Sequence, residues 1–476
     1  MENLQDKLQS LYVQKKIIEN QIKELEIQIQ NNSDFEFVLK DKIYLNTSRL
    51  SSTIIDELKE LASFDNPQIA ILQAMRKPIY NMPRIIKSYE FKNNTLILPR
   101  GLMRDVIFVL NANAIKYKIK DERISIKEEF KDITYTLRDE QLACTDAISK
   151  KDFSICVAPP GFGKTLLGAY MIKQRSVNTL IIVNKNMLLD QWIDRFVQYF
   201  GYDKKDIGFL GKSKNKLNQK LDIATMQSLK NNPDIIKDYS FVIVDECHHI
   251  PALTFESIIS KFEGKYILGL SATPNRKDAM DPILFQQLGN ISYEVVRAKT
   301  NKNKLKIVKT DFVSEVDNFS NLISEIINDK QRNNLIINEI LENSNRKILL
   351  LTDRIEHIEN LSKLLDNCGL DYLSIHGSMD NKTKELNMAK VKSSSLVLAT
   401  TSYFGEGIDF PHLNTIIFAT PISYYGRLVQ YLGRIGRGGD DCIAIDIYDD
   451  KNNFTRSAFR KREAGYKQLH YKKINN

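Results

Sequence analysis

The chain has 476 residues, 42% of them hydrophobic and 27% charged, with a net charge of +9. That is room for about three domains of ordinary size, with enough apolar residues for real cores, which excludes a disordered chain. No run of about 18 uncharged apolar residues occurs, so no membrane-spanning helix is expected, and the polar, acid-containing N-terminus does not read as a secretory leader.

Residues 1–32 place Leu4, Leu8, Leu11, Ile18, Ile22, Leu25 and Ile29 on a seam that steps by four and three, interrupted by Lys15. This predicts a coiled-coil helix. It would pair with a second copy, recruit a partner protein through residues 1–30 or fold back on its own chain, and the sequence leaves these open. Residues 33–131 read as a small α/β accessory domain, with strands at "NTLILP" and "IKYKIK" around a helix at "RGLMRDVIFVLNAN". From 132 to 300, apolar runs ("FSICVA", "TLIIV", "LDIAT", "FVIVD", "YILGLS") alternate with helical stretches. Continuous apolar strands of this kind belong to a parallel sheet covered on both faces. The same grammar restarts over 301–450 at "KILLLT", "YLSIH", "SLVLAT", "TIIFA" and "CIAIDIY". The predicted fold class is therefore α/β, with two tandem parallel-sheet lobes. Residues 451–476 hold eight Lys and Arg against one Glu, which reads as a basic tail attractive to a polyanion. The cysteines, Cys144, Cys156, Cys247, Cys368 and Cys442, are scattered without a CxxC pair. Reduced thiols in a cytoplasmic protein are expected.

The first lobe opens with "CVAPPGFGKTLLGAY". A strand leading into Gly161, Gly163, Lys164 and Thr165, and then a helix, lets backbone N–H groups converge on phosphate at a helix N-terminus. Lys164 would reach the β- and γ-phosphates of ATP, and Thr165 would hold Mg²⁺. In "FVIVDECHH", Asp245 ends an apolar strand, suited to bind Mg²⁺ through water, and Glu246 is suited to polarise the attacking water. The second lobe lacks a phosphate loop. Its "QYLGRIGR" offers Arg434 and Arg437, which would meet the charge developing on the transferred phosphoryl group when the lobes close.

"LRDEQ", "DECHH", "LSATP", "ATTSYFGEGIDFP" and "QYLGRIGR" follow one another over about residues 133–450. In that order they resemble the motifs of superfamily 2 helicases and translocases, whose lobes are RecA-like. The resemblance implies that Arg138 and Gln141 lie near adenine, and that Ser271 and Thr273 couple hydrolysis to nucleic-acid binding. Gly407 and Asp409 would face the nucleotide across the cleft, and Gln430, Arg434 and Arg437 would form the sixth motif with its arginine fingers. Thr225, Gln227 and Thr401 match positions that contact the sugar–phosphate backbone. Lys185, Gln191 and Trp192 lie in another such stretch, with Trp192 either in the core or stacked on a base. Within the superfamily, "DECHHIPALTF" and "GLSATPNRKDAMDPI" look most like the branch of the TFIIH translocase, phage and poxvirus helicases and restriction-enzyme motors. Arg276-Lys277-Asp278 matches that branch's Arg-Glu-Asp loop except at its central residue. The implied function is an ATP-dependent helicase or double-strand translocase acting on nucleic acid, with DNA favoured over RNA. The alternatives are a nucleic-acid sensor and the motor subunit of a defence or restriction complex.

Overall fold

The computed structural model describes residues 35–474 apart from 250–251, 273–278, 296–302, 317, 392, 405–411, 423–424, 434 and 436–440, and only Gln14, Lys15 and Ile18 before them. The predicted 1–32 seam therefore lies almost wholly outside the described residues. Among the described residues no helix is long and apolar enough to cross a membrane.

Residues 35–121 build a five-stranded sheet in the order Glu90–Lys92, Thr95–Pro99, Lys42–Asn46, Phe35–Leu39, Tyr117–Asp121. Helices Ser52–Leu61 and Met103–Ala112 share its core, with Leu58, Val106 and Leu110 fully buried against Phe37 and Ile43. This domain sits on the first lobe through a buried Arg100, whose Nη1 donates to the Gly264 carbonyl at 3.0 Å while its guanidinium lies 4.4 Å over the Phe262 ring. Gly101 beside it allows no side chain, because a Cβ there would stand 2.5–2.6 Å from backbone atoms of Phe285, Gln286 and Gly289. Arg123 ties the seam again, bridging Asp121 and Asp152 at 2.7 and 2.9 Å.

The first lobe is an eight-stranded sheet ordered Lys214–Lys216, Gly208–Gly211, Leu221–Thr225, Thr179–Val183, Phe241–Asp245, Tyr266–Ser271, Phe153–Val157, Ile291–Glu294. All its pairings are parallel except the one at Lys214–Lys216. Thr179–Val183 and Phe241–Val244 are buried at every position, which explains why they read as unbroken apolar runs. Cys144 and Cys156, far apart in the pattern of the sequence, meet with sulfurs 3.2 Å apart as free buried thiols.

The second lobe is a seven-stranded, wholly parallel sheet ordered Leu373–Ile375, Leu396–Thr400, Ile348–Thr352, Thr415–Phe418, Cys442–Tyr448, Asn303–Lys309, Lys472–Ile474. The basic segment 451–476 is not a tail. It forms helix Asn453–Gln468 and the edge strand Lys472–Ile474, which pairs with Asn303–Lys309. One of its eight cations, Arg462, is buried and pairs with Asp446 at 2.7 and 2.9 Å while also donating to the Ile422 carbonyl. Lys451 and Lys473 are paired with Asp311 and Glu463. Three of the eight cations thus serve the lobe itself.

Candidate functional site

Strands Phe153–Val157, Tyr266–Ser271 and Phe241–Asp245 are neighbours in parallel. Their C-terminal ends bring the glycine loop, Ser271 and Asp245 to one edge, where open parallel sheets receive ligands. Gly161 and Gly163 adopt φ of 84° and 98°, a region that favours glycine. Gly163 caps helix Lys164–Arg175, so the first N–H groups of that helix open toward the loop. Lys164 Nζ lies 3.1 Å from both the Ala158 carbonyl and Glu246 Oε1, so its ammonium spans the loop and the acidic pair.

Arg138 and Gln141 grip the same loop. Arg138 Nη2 donates to the Phe162 carbonyl at 2.9 Å, and Gln141 Nε2 donates to that oxygen at 2.6 Å. Gln141 Oε1 accepts from the Arg138 backbone N–H, fixing the start of helix Asp139–Ser149. A Cβ at Gly163 would stand 2.6 Å from Gln141 Nε2. The start of helix Asp139–Ser149 and the glycine loop therefore form one packed unit.

Asp245 is buried, and its carboxylate takes two hydrogen bonds: Trp192 Nε1–H to Oδ2 at 2.8 Å and the Glu246 N–H to Oδ1 at 3.0 Å. Burial, and then the neighbouring Glu246 charge, push its pKa above the usual carboxylate range. Glu246 itself has a left-handed φ of 46°, which for a non-glycine residue stores about 1–3 kcal/mol of strain. Its Oε2 accepts from the Ala272 N–H at 3.4 Å and lies 3.5 Å from His248 Nδ1. The same His248 nitrogen is 2.8 Å from Ser271 Oγ. Ser271, the expected coupling residue, thus connects through a buried histidine to the acidic pair. Sequence reasoning does not single out His248, although it is the fourth residue of the "DECH" run, and it gives Trp192 no role beside Asp245.

Each lobe also carries a polar groove. In the first lobe, Lys185, Asn186, Lys212, Ser213, Gln227 and Ser228 are among the residues around about 600 Å³ that also include Thr225. The Thr225 hydroxyl caps helix Met226–Asn231, accepting from the Ser228 N–H and lying 2.8 Å from Ser228 Oγ. Gln227 and Ser228 are left facing the groove. In the second lobe, Asp353, Arg354, Ser378, Thr400 and Ser402 line about 320 Å³. Thr401 is buried between them, its hydroxyl donating to Asp353 at 2.6 Å and its carbonyl accepting from the Tyr431 hydroxyl. It shapes this groove from behind. Gln430 is buried on helix Tyr425–Leu432. The same helix carries Arg427, whose charge, after burial, lowers the pKa of Lys185 in the first lobe. Met187 packs on the second lobe's core, so the lobes meet along this line. Thr273, Gly407, Asp409, Arg434, Arg437 and Arg276-Lys277-Asp278 lie outside the described residues.

The donors fit the chemistry expected of them. Glycine-lined N–H groups with a lysine suit a phosphate chain, and the Thr165 hydroxyl with the Asp245 carboxylate are hard oxygen ligands of the kind Mg²⁺ takes.

Comparison with known proteins agrees with this arrangement. The family model "Type III restriction enzyme, res subunit" matches residues 134–276, and "Helicase conserved C-terminal domain" matches 331–439. A protein of Acanthamoeba polyphaga mimivirus, named as an ATP-dependent RNA helicase, is 28% identical over 71% of this chain and 70% of its own length. A protein of Escherichia phage T5, named as a helicase, is 26% identical over 71% of this chain and 77% of its own. The solved structure of a single-residue variant of Saccharomyces cerevisiae Dbp5 bound to RNA and ADP–beryllium fluoride superposes with a TM-score of 0.52 at 13% identity, covering 71% of this chain and 93% of that one, which supports the two-lobed fold. The chain belongs to the superfamily 2 helicases and translocases and is a nucleic-acid-dependent ATPase.

Proposed function

We propose that the protein is an ATP-driven DNA helicase or double-strand DNA translocase. The observation that carries this reading is the pair of polar grooves, one on each lobe, beside a phosphate loop and an acidic pair confined to the first lobe. Lys185, Asn186, Gln227 and Ser228 on one side, and Arg354, Ser378 and Ser402 on the other, are donors suited to phosphate and sugar, which hold a strand without reading its bases. A moving machine requires that indifference.

In this reading Gly161, Gly163 and Lys164 cradle the phosphates of ATP. Thr165 and Asp245 hold Mg²⁺, which neutralises charge on the phosphate oxygens when bound. Glu246 takes the proton of the attacking water, and Arg138 and Gln141 place the adenine end. Arg434 and Arg437, two to five residues beyond helix Tyr425–Leu432, meet the transferred phosphoryl group when the second lobe closes. Hydrolysis is then conditional on closure, and nucleotide state biases an open–closed equilibrium. A strand lying across both grooves is shifted by each cycle.

ATPase rates with single-stranded DNA, duplex DNA, forked DNA and RNA, measured side by side, test the proposal. Stimulation by DNA with triplex displacement or unwinding is expected. Hydrolysis indifferent to any polynucleotide refutes the motor reading, and stimulation by RNA alone, as the name of the mimivirus relative suggests, replaces DNA with RNA as the track.

A further inference from the structure

Trp192 is the single tryptophan of the chain. It is 1% exposed, wedged between two elements of the nucleotide site and the helix that bears it. A Cβ on Gly168, in the helix that follows the phosphate loop, would stand 2.8 Å from the edge of the indole, and Phe196 meets the ring edge-on at a centroid distance of 5.4 Å. Its only polar hydrogen is given to Asp245 Oδ2 at 2.8 Å. An indole has no other donor and no acceptor, and this one is too tightly packed to turn.

The helix that carries it, Asn186–Phe200, has its first turn elsewhere. Lys185 and Asn186 line the first-lobe groove, and Met187 packs on the core of the second lobe. Trp192 follows Asn186 by six residues, about 9 Å along the axis. A helix moves nearly as a rigid rod, so a displacement of its N-terminus reaches the indole. A shift of about 1 Å would stretch this hydrogen bond beyond any useful length.

We infer that Trp192 is a positioning residue that fixes the metal-binding carboxylate and makes metal–nucleotide affinity depend on what occupies the groove at the start of its own helix. The inference rests on the reading of Asp245 as a Mg²⁺ ligand. Linkage requires the effect to be reciprocal: a strand in the groove tightens Mg–nucleotide, and Mg–nucleotide tightens the strand by the same factor.

The test uses the full chain. Emission from Trp192 is followed while ADP is added with Mg²⁺ or with a chelator, and affinities for ADP, Mg–ADP, oligothymidylate and oligouridylate are measured by calorimetry, alone and combined. Emission should change with Mg–ADP and not with metal-free ADP, and the better-bound oligonucleotide should tighten Mg–ADP about 5-fold or more. Trp192→Phe keeps an aromatic ring and loses the N–H. It should weaken Mg²⁺ affinity about 10–100-fold, the usual effect of removing a partner that orients a metal ligand, leave metal-free ADP affinity unchanged and bring the linkage factor close to one. Should Trp192→Phe fail to fold by circular dichroism, the wild-type emission and linkage measurements decide alone, and a silent emission or a linkage factor of one overturns the inference. Asp245→Asn separates the two layers. If it keeps Mg–ADP affinity, the metal-site reading falls and the inference falls with it. If it loses that affinity while Trp192→Phe retains both affinity and linkage, only the role of Trp192 is overturned.

Discussion

Replacing Glu246 by Gln removes a charge and almost no volume, and the structure specifies what should follow. Glu246 Oε1 is 3.1 Å from Lys164 Nζ, with both side chains mostly buried, and its Oε2 accepts from the Ala272 N–H. Glutamine can keep that acceptor but cannot take a proton from water. A positioned general base contributes about 10²–10⁴ in rate, so the polynucleotide-stimulated ATPase rate should fall by that factor, a barrier increase of about 3–5 kcal/mol. Nucleotide binding should survive or strengthen, because Lys164 loses a competing anion. There is also a pH signature. Burial and the Glu246 charge both raise the Asp245 pKa, so in the wild type this carboxylate is protonated, and its hold on metal lost, at a higher pH than for an ordinary aspartate. Neutralising Glu246 removes the second cause. The acid limb of Mg–ADP binding should therefore move to lower pH in Glu246→Gln. Single-turnover hydrolysis with calorimetric Mg–ADP titrations across the weakly acidic to neutral range measures both effects. A rate within about tenfold of wild type, short of what a general base supplies, or loss of Mg–ADP binding together with the rate, refutes the assignment of Glu246 as base.

Three further outcomes follow from buried contacts. Arg462→Met leaves Asp446, a buried carboxylate, without its guanidinium; breaking such a pair costs about 3–5 kcal/mol, and urea unfolding of the second lobe should show it, with a loss under about 1 kcal/mol counting against a structural role for the C-terminal helix. Gly101→Ala places a methyl 2.5–2.6 Å from three backbone atoms of the first lobe, so the seam must open by more than an ordinary overpacked core, about 1–3 kcal/mol or beyond; limited proteolysis should release the accessory domain faster than in the wild type, and an unchanged digestion pattern contradicts the docking described. His357 is buried between Thr352 and Asn333, and burial, with Arg332 nearby, holds its pKa down to about 3. Between its ordinary value and about 3 the unfolded chain binds the extra proton and the folded one does not, so stability falls as pH drops through that window, by on the order of 5 kcal/mol in all. Acid unfolding monitored by circular dichroism should be shallower in His357→Gln, and an equal slope removes His357 as the cause.

The sheets were legible because parallel strands buried on both faces leave an unmistakable trace: Phe241–Val244 and Ile348–Leu351 have no solvent side to encode. The elements that the pattern hides do encode one. Asn303–Lys309 alternates lysines with apolar residues and does not stand out among the apolar runs of the second lobe, yet it lies between two strands of the second sheet. In helix Asn453–Gln468, the buried Thr455, Phe459, Arg462 and Tyr466 do fall three to four apart, but a charged residue in that stripe makes the segment look like a solvated tail. The site divides in the same way. Residues whose chemistry depends on local backbone, such as Gly161, Gly163 and Lys164, are visible as a motif. Partners far along the chain are not: Trp192 and Thr401 each fall in a motif, but nothing local says that Trp192 meets Asp245, 53 residues away, or that the Thr401 hydroxyl finds Asp353 across 48 residues.

His248 shows why such partners matter for the proposed motor. Its Nδ1 stands 2.8 Å from Ser271 Oγ and 3.5 Å from Glu246 Oε2, and a single ring nitrogen makes one strong hydrogen bond at a time. At these distances the serine holds it, and Glu246 is held by Lys164. Ser271 ends the strand beside the phosphate-loop strand, so any movement of that strand end changes which oxygen His248 serves. If the imidazole turns to Glu246, the carboxylate gains a further partner and its orientation toward the Lys164 side changes. A histidine within reach of both Glu246 and a strand end thus ties the orientation of that carboxylate to the position of the neighbouring strand. Under the proposed roles of Glu246 and Ser271, that dependence is what coupling hydrolysis to a movement of the strand end would require.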